Sequence, residues 1–312
     1  MYDLLLRKHH TSKAMRNVYV VTYFLLYIIE VLAAFVLFLI LRPIIGRQTA
    51  LLVFGVLCVV AIPLAFVLLK RLLNSEKGKP SAILHEAFRN EVVTNGFTQK
   101  ALDMANQAMR EHTSGKEMSI VYLKDFAMYS ADYFNQTRQF DTARQYLEAL
   151  DQKEIRSKSI SFIDRGISHM LYLGVCVDTY AGLKDEKKAA EFRDEAHSRF
   201  GNKDDEMFKI MLDGVDYDYY AMREEYDKAQ AIADRLLTYT SDFSKRLPSK
   251  YYVNADLCMR LGKQEEAASF MQQAWEIVKD QGAAMVQTYR LAMKRFGLSD
   301  SAQPAQNDTP QQ

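Results

Sequence analysis

The chain has 312 residues, of which 49% are hydrophobic and 25% are charged, and its formal net charge is only +1. This length allows two domains, and the charge balance excludes a protein that binds nucleic acid or another strong polyanion through charge alone. Three cysteines exclude a disulfide framework, and the six histidines show no metal-ligand spacing, so we expect neither a metal nor a cofactor.

The first predicted elements are two membrane spans. Residues 17–41 carry no charge except Glu30, and residues 49–69 carry none. Each run reaches the ~20 residues that a helix needs to cross the hydrocarbon core. The short connector 42–48 contains a proline and a glycine, which are typical of a turn. We therefore predict a transmembrane hairpin over residues 17–69; a cleavable signal peptide is excluded because a second span follows the first.

Basic residues on either side of the spans predict the orientation. Four lysines and arginines lie in the N-terminal segment 1–16, four lie in the predicted linker 70–80, and the connector has two. Cytoplasmic flanks carry the excess of positive charge. We therefore expect an integral protein of the cell membrane with both termini in the cytoplasm.

The first span has a polar face. Steps of four, four and three residues join Tyr19, Tyr23, Tyr27 and Glu30, which places them on one side of a helix. We expect this face to pack against a helix of the same chain, of a second copy, or of another membrane protein. An ion path is less favoured, since neither span contains a second acidic residue, a lysine, an arginine or a histidine.

Residues 81–298 are predicted to form an all-helical domain, because apolar residues recur every three or four positions. Five segments share one pattern, in which a polar turn precedes a small residue at the positions Ala101, Ala143, Ala189, Ala229 and Ala267. An aromatic residue, valine or cysteine stands nine residues before each alanine. The alanines are predicted at close helix contacts. The tail 299–312 lacks large apolar residues and is predicted to be disordered.

This repeated pattern resembles the tetratricopeptide repeat family over residues 81–280. The alanine spacing of 42, 46, 40 and 38 residues exceeds the ~34 residues of that family, so the rival interpretation is a helical bundle without stacked repeats. The resemblance implies an α-solenoid of about five helical hairpins, with residues 282–298 as a capping helix. It also implies a concave groove that holds a peptide or a partner helix.

An acidic residue stands eleven positions before four of the five alanines, as Asp132, Asp178, Asp218 and Asp256. In the family that the chain resembles, this face of the first helix lines the groove. The four carboxylates would then attract a basic protein or peptide. The alternative is that each aspartate bonds to a tyrosine or arginine of a neighbouring hairpin and holds the stack together.

These features predict a membrane-anchored scaffold that presents a cytoplasmic groove to a protein partner. The alternative is an accessory subunit of a transporter or channel that docks through the tyrosine and Glu30 face. No catalytic residue is predicted, because the sequence shows no nucleophile and base pair, metal cluster or phosphate loop.

Overall fold

A computed structural model describes residues 13–77, 80–116, 118–151, 155 and 166–298 of the chain. Within these residues the chain forms thirteen α-helices, one short 3-10 helix and no β-strand. The all-α prediction is thereby confirmed. The predicted disordered tail and most of the predicted N-terminal segment lie outside the described residues. The helices belong to two compact units, one ending at Leu84 and the other beginning at His85.

The first unit contains helices α1 (Lys13–Ile45) and α2 (Arg47–Lys77). Both contain a stretch long and apolar enough to cross a membrane, over Tyr23–Ile45 and Arg47–Ala65. This confirms the prediction of two candidate spans. Most of the large apolar side chains on these stretches are exposed, as expected for surfaces that face lipid.

Small residues lie where α1 and α2 pack together. The most buried side chains of the pair are Ala34, Ala50, Ala61 and Ala65. Such residues let two helix backbones approach closely in a membrane, where packing replaces the hydrophobic effect as the force between helices. The Phe54 ring lies 5.8 Å from the ring of Phe38, between centroids, and adds an aromatic contact to the pair.

The connector and the linker are shorter than predicted. Only Gly46 separates α1 from α2, with a positive φ of 81° that suits glycine. Helix α1 includes residues 42–45 because a proline in the last turn removes only one hydrogen bond. Helix α2 continues to Lys77 because the polar residues after the apolar run are good helix formers.

Among its described residues, the second unit contains five successive helix pairs and a final single helix; the first five residues of the first pair belong to the other unit. The pairs are α3 (Pro80–Asn95) with α4 (Gln99–Thr113), α5 (Ile120–Gln136) with α6 (Phe140–Glu148), α7 (Ile167–Gly182) with α8 (Glu186–Phe200), α9 (Glu206–Met222) with α10 (Tyr226–Thr238), and α11 (Ser249–Arg260) with α12 (Gln264–Val278); the final helix is α13 (Ala283–Phe296). The five alanines of the repeated sequence pattern, here called the marker alanines, lie on α4, α6, α8, α10 and α12. All five are fully buried.

The turn inside every pair has three residues, and the last four turns share one geometry. Their middle residues have positive φ, at Arg138, Lys184, Glu224 and Gly262. In each turn the third residue donates its backbone N–H to a carbonyl five residues earlier, a bond 2.8–3.0 Å long. This is the hydrogen bond that closes a helix C-terminus around a left-handed residue. The residue that accepts it stands nine positions before the marker alanine.

Side chains also join each pair to the next. The Asn135 amide donates to Thr179 at 2.9 Å, and the Tyr217 hydroxyl donates to Asp256 at 2.8 Å. Helix α13 does not continue away from the preceding pair. It contacts α5, and its Gln287 side chain reaches the turn between α3 and α4. The last helix therefore returns to the first two pairs.

Candidate functional site

The four predicted aspartates lie at the same level of successive helices. Asp132, Asp178, Asp218 and Asp256 each stand four residues before the last residue of α5, α7, α9 and α11. Because these are the first helices of neighbouring pairs and end in the same kind of turn, the four carboxyl groups come together on one side of the unit. All four line a single cavity of about 620 Å³.

Helix α13 supplies the wall that the sequence did not predict. Thr288, Ala292, Arg295 and Phe296 line the same cavity. The guanidinium of Arg295 lies 4.0 Å from Asp256. The four aspartates thus line a partly enclosed cavity, whose volume lies within the ~300–1,000 Å³ typical of ligand sites.

Asp256 is the one aspartate of the four with strong partners. It accepts a hydrogen bond from the Tyr217 hydroxyl at 2.8 Å and one from Arg260 Nε at 2.7 Å. Burial raises the pKa of Asp256, but the charges of Arg295 and Arg260 outweigh it and hold the pKa below its usual value. Asp256 therefore forms the kind of contact that the alternative predicted, a hydrogen bond to a tyrosine of the neighbouring helix pair.

The other three carboxyl groups have raised pKa values. Asp132 accepts a hydrogen bond from Gln136 at 2.8 Å, and burial together with the charge of Asp178 raises its pKa to about 7. Burial likewise raises the pKa of Asp178 to about 6. The pKa of Asp218 is also raised, by burial and by the charges of Asp178 and Asp256. These three acids repel one another in a poorly solvated space.

Two further polar groups at the cavity have no hydrogen-bond partner among the described residues. They are the hydroxyl of Tyr252 on α11 and the Nε of Arg295 on α13, and both atoms are buried. Most buried polar groups in proteins are hydrogen-bonded. Neither residue belongs to the repeated sequence pattern. Tyr252 stands one helical turn before Asp256 on α11, whereas Arg295 reaches the aspartates because α13 returns to the other helices.

The polar face of the first span belongs to the first unit, on helix α1. Tyr23, Tyr27 and Glu30 are partly buried, whereas most of the residues between them are exposed. The Tyr23 hydroxyl donates to the Ile62 carbonyl of α2 at 3.1 Å. Both carboxyl oxygens of Glu30 are buried without a hydrogen bond to a described residue. The side chain of Tyr19 lies outside the described residues. The face thus packs against the second helix of its own hairpin.

Metal binding finds no support in the described part of the chain, where no three histidine, cysteine or acidic side chains are close enough to hold an ion. No known family model matches the chain, and it has no significant match among curated proteins or solved structures. The resemblance to tetratricopeptide repeats therefore stays a prediction from the sequence, and the chemistry of the cavity is the basis for a functional proposal.

Proposed function

We propose that this protein is a membrane-anchored scaffold whose helical domain, a tetratricopeptide-like solenoid, binds a protein or peptide partner in the cytoplasm. The observation that carries the proposal is the convergence of Asp132, Asp178, Asp218 and Asp256 on one cavity. The five helix pairs, four of which share one turn geometry, support the solenoid, and the two apolar helices support the anchor.

The alternative, docking of an accessory subunit through the first span, has less support. It requires the face of Tyr23, Tyr27 and Glu30 to be free for another membrane protein. In the hairpin this face packs against α2, and Tyr23 is hydrogen-bonded to it. The exposed residues of α1 between Phe24 and Ile40, such as Leu25 and Ile29, are uniformly apolar and suit lipid as well as protein.

Site-specific photo-crosslinking in native membranes tests the scaffold. A photoreactive amino acid at Met259, which lines the cavity, should give a discrete crosslinked product. The same amino acid at Gln273, which is exposed on α12, is the matched control. We expect the product at the cavity position only, and we expect it to disappear when Asp178→Asn and Asp218→Asn are added. Equal crosslinking at both positions, or none at Met259, would contradict the proposal.

A further inference from the structure

Four aspartates and four basic residues line the cavity, but the basic residues do not form ion pairs with all four acids. Arg260 and Arg295 both lie beside Asp256. By contrast, neither Asp178 nor Asp218 forms an ion pair within 4 Å with a described residue, and no ion pair joins Asp132 to one either. A buried carboxylate is costly unless a cation or several hydrogen-bond donors accompany it. The two central aspartates therefore lack a paired cation among the described residues.

A second observation, independent of the acids, indicates the rest of the ligand. The Tyr252 hydroxyl and Arg295 Nε are buried donors without acceptors among the described residues, and both residues line the cavity. A bare cation would leave them unsatisfied. A ligand that offers a hydrogen-bond acceptor as well as a positive charge would satisfy both kinds of group.

The spacing of the acids favours an organic cation over a metal ion. They lie on successive helices, and packed helices are ~8–10 Å apart. Correspondingly, no group of three described acids, histidines or cysteines is close enough to hold a metal. Apolar side chains, among them Val253, Met259 and Phe296, also line the cavity and would contact an alkyl chain.

We propose that the cavity binds a lysine or arginine residue of its ligand. The ammonium or guanidinium group lies between Asp178 and Asp218, and the alkyl chain contacts the apolar lining. The backbone carbonyl accepts hydrogen bonds from Tyr252 and Arg295. This deepens the proposed function and rests on it where the residue belongs to a partner protein; the same chemistry could come from a free basic amino acid.

Calorimetric titration of the full-length protein in lipid nanodiscs tests this assignment. The probes are free lysine and a blocked seven-residue peptide with one lysine between glycines and serines. The control probe is the same peptide with Nε-acetyllysine, which keeps the alkyl chain and removes the charge. We expect at least tenfold weaker binding of the acetylated peptide. Equal binding of the two peptides would overturn the proposal.

Matched variants connect the binding to the cavity. The double variant Asp178→Asn and Asp218→Asn should weaken binding of the lysine peptide at least tenfold. The double variant Asp234→Asn and Asp242→Asn removes the same charge from exposed positions and should leave that binding unchanged. Tyr252→Phe should weaken binding of the lysine peptide, although this substitution leaves the charge of the protein unchanged. Unchanged binding in the cavity variants would overturn the assignment; if they do not fold, the acetylated probe still decides it.

The two probes also separate this inference from the proposed scaffold. Binding of free lysine without the peptide would support the ligand chemistry and contradict a peptide-binding scaffold. A cavity-specific crosslink in membranes without charge-dependent binding of either probe would support the scaffold and overturn the lysine or arginine assignment.

Discussion

Gln287 on α13 forms hydrogen bonds with both backbone groups of Phe97, although 190 residues separate them. The Phe97 N–H donates to Gln287 Oε1 at 2.6 Å, and Gln287 Nε2 donates to the Phe97 carbonyl at 3.0 Å. These bonds join the last helix to the first turn of the same unit. The cavity is enclosed on this side because the helix stays in that position.

Removing the amide should loosen this connection. We expect Gln287→Ala to lower the free energy of unfolding by about 1–3 kcal/mol, because two backbone groups lose their partner. Hydrogen exchange should rise at Phe97 and along α13. Gln273→Ala is the control, since that amide bonds only within its own helix, to Ser269. Exchange at Phe97 equal to that of the parent would mean that the contact does not hold α13.

The turns offer a reciprocal test of backbone geometry. Glu224 has a φ of 60° and an exposed side chain, whereas Gly262 holds the equivalent place in the next pair with a φ of 74°. An L-residue in this region costs ~1–2 kcal/mol, part of which glycine returns through the flexibility of the unfolded chain. We expect Glu224→Gly to stabilise the protein by about 0.5–1 kcal/mol in chemical denaturation. Gly262→Ala should destabilise it, and the same sign for both would contradict the shared geometry.

The alanine pattern leads to a matched pair on one helix. Ala229 is fully buried, whereas Ala231 on the same helix is exposed. Ala229→Leu should overpack the contact and cost about 1–3 kcal/mol. Ala231→Leu should change stability little, because its side chain lies in solvent. Equal thermal midpoints for the two variants would show that the buried alanine is not at a tightly packed interface.

The features foreseen from the sequence are those encoded by local periodicity. The apolar runs identify the two long helices, and the repeated alanines identify the helix pairs, because each depends on residues a few positions apart. The contact between Gln287 and Phe97 depends on the accumulated geometry of five pairs and leaves no local pattern. For the same reason the sequence indicated the four aspartates but missed Arg295 as their neighbour. Tyr252 could have been found from the sequence, because it stands four residues before Asp256 on the same helix.

The predicted orientation can be tested with a new glycosylation site. The natural sequon at Asn135 is a poor reporter, because that side chain is buried and bonded to Thr179. Asp204→Thr creates a sequon at Asn202, which is exposed between α8 and α9. With the helical domain in the cytoplasm, we expect no glycan after translation with microsomes. Residues 80–298 behind a cleavable signal sequence provide the positive control, and a glycan on the full-length variant would contradict the topology.

The raised pKa values in the cavity predict how stability depends on pH. Asp132, Asp178 and Asp218 bind protons more tightly in the folded protein than in the unfolded chain. Between about pH 4 and pH 7 the folded state therefore holds more protons, so raising the pH lowers the free energy of unfolding. Asp256 has a lowered pKa, and the stability it contributes is lost only in more acidic solution.

Denaturation of the full-length protein in detergent at pH 5.5, 6.5, 7.5 and 8.5 measures this effect. We expect stability to fall between pH 5.5 and pH 7.5 as the carboxylates ionise, since Arg260 and Arg295 are already paired with Asp256. Asp218→Asn removes one poorly solvated charge, so it should stabilise the protein at pH 8.5 and flatten the profile. Asp234→Asn, at an exposed position, should retain the parent profile. A loss of stability in Asp218→Asn at pH 8.5 would instead mean that its carboxylate holds the helices together.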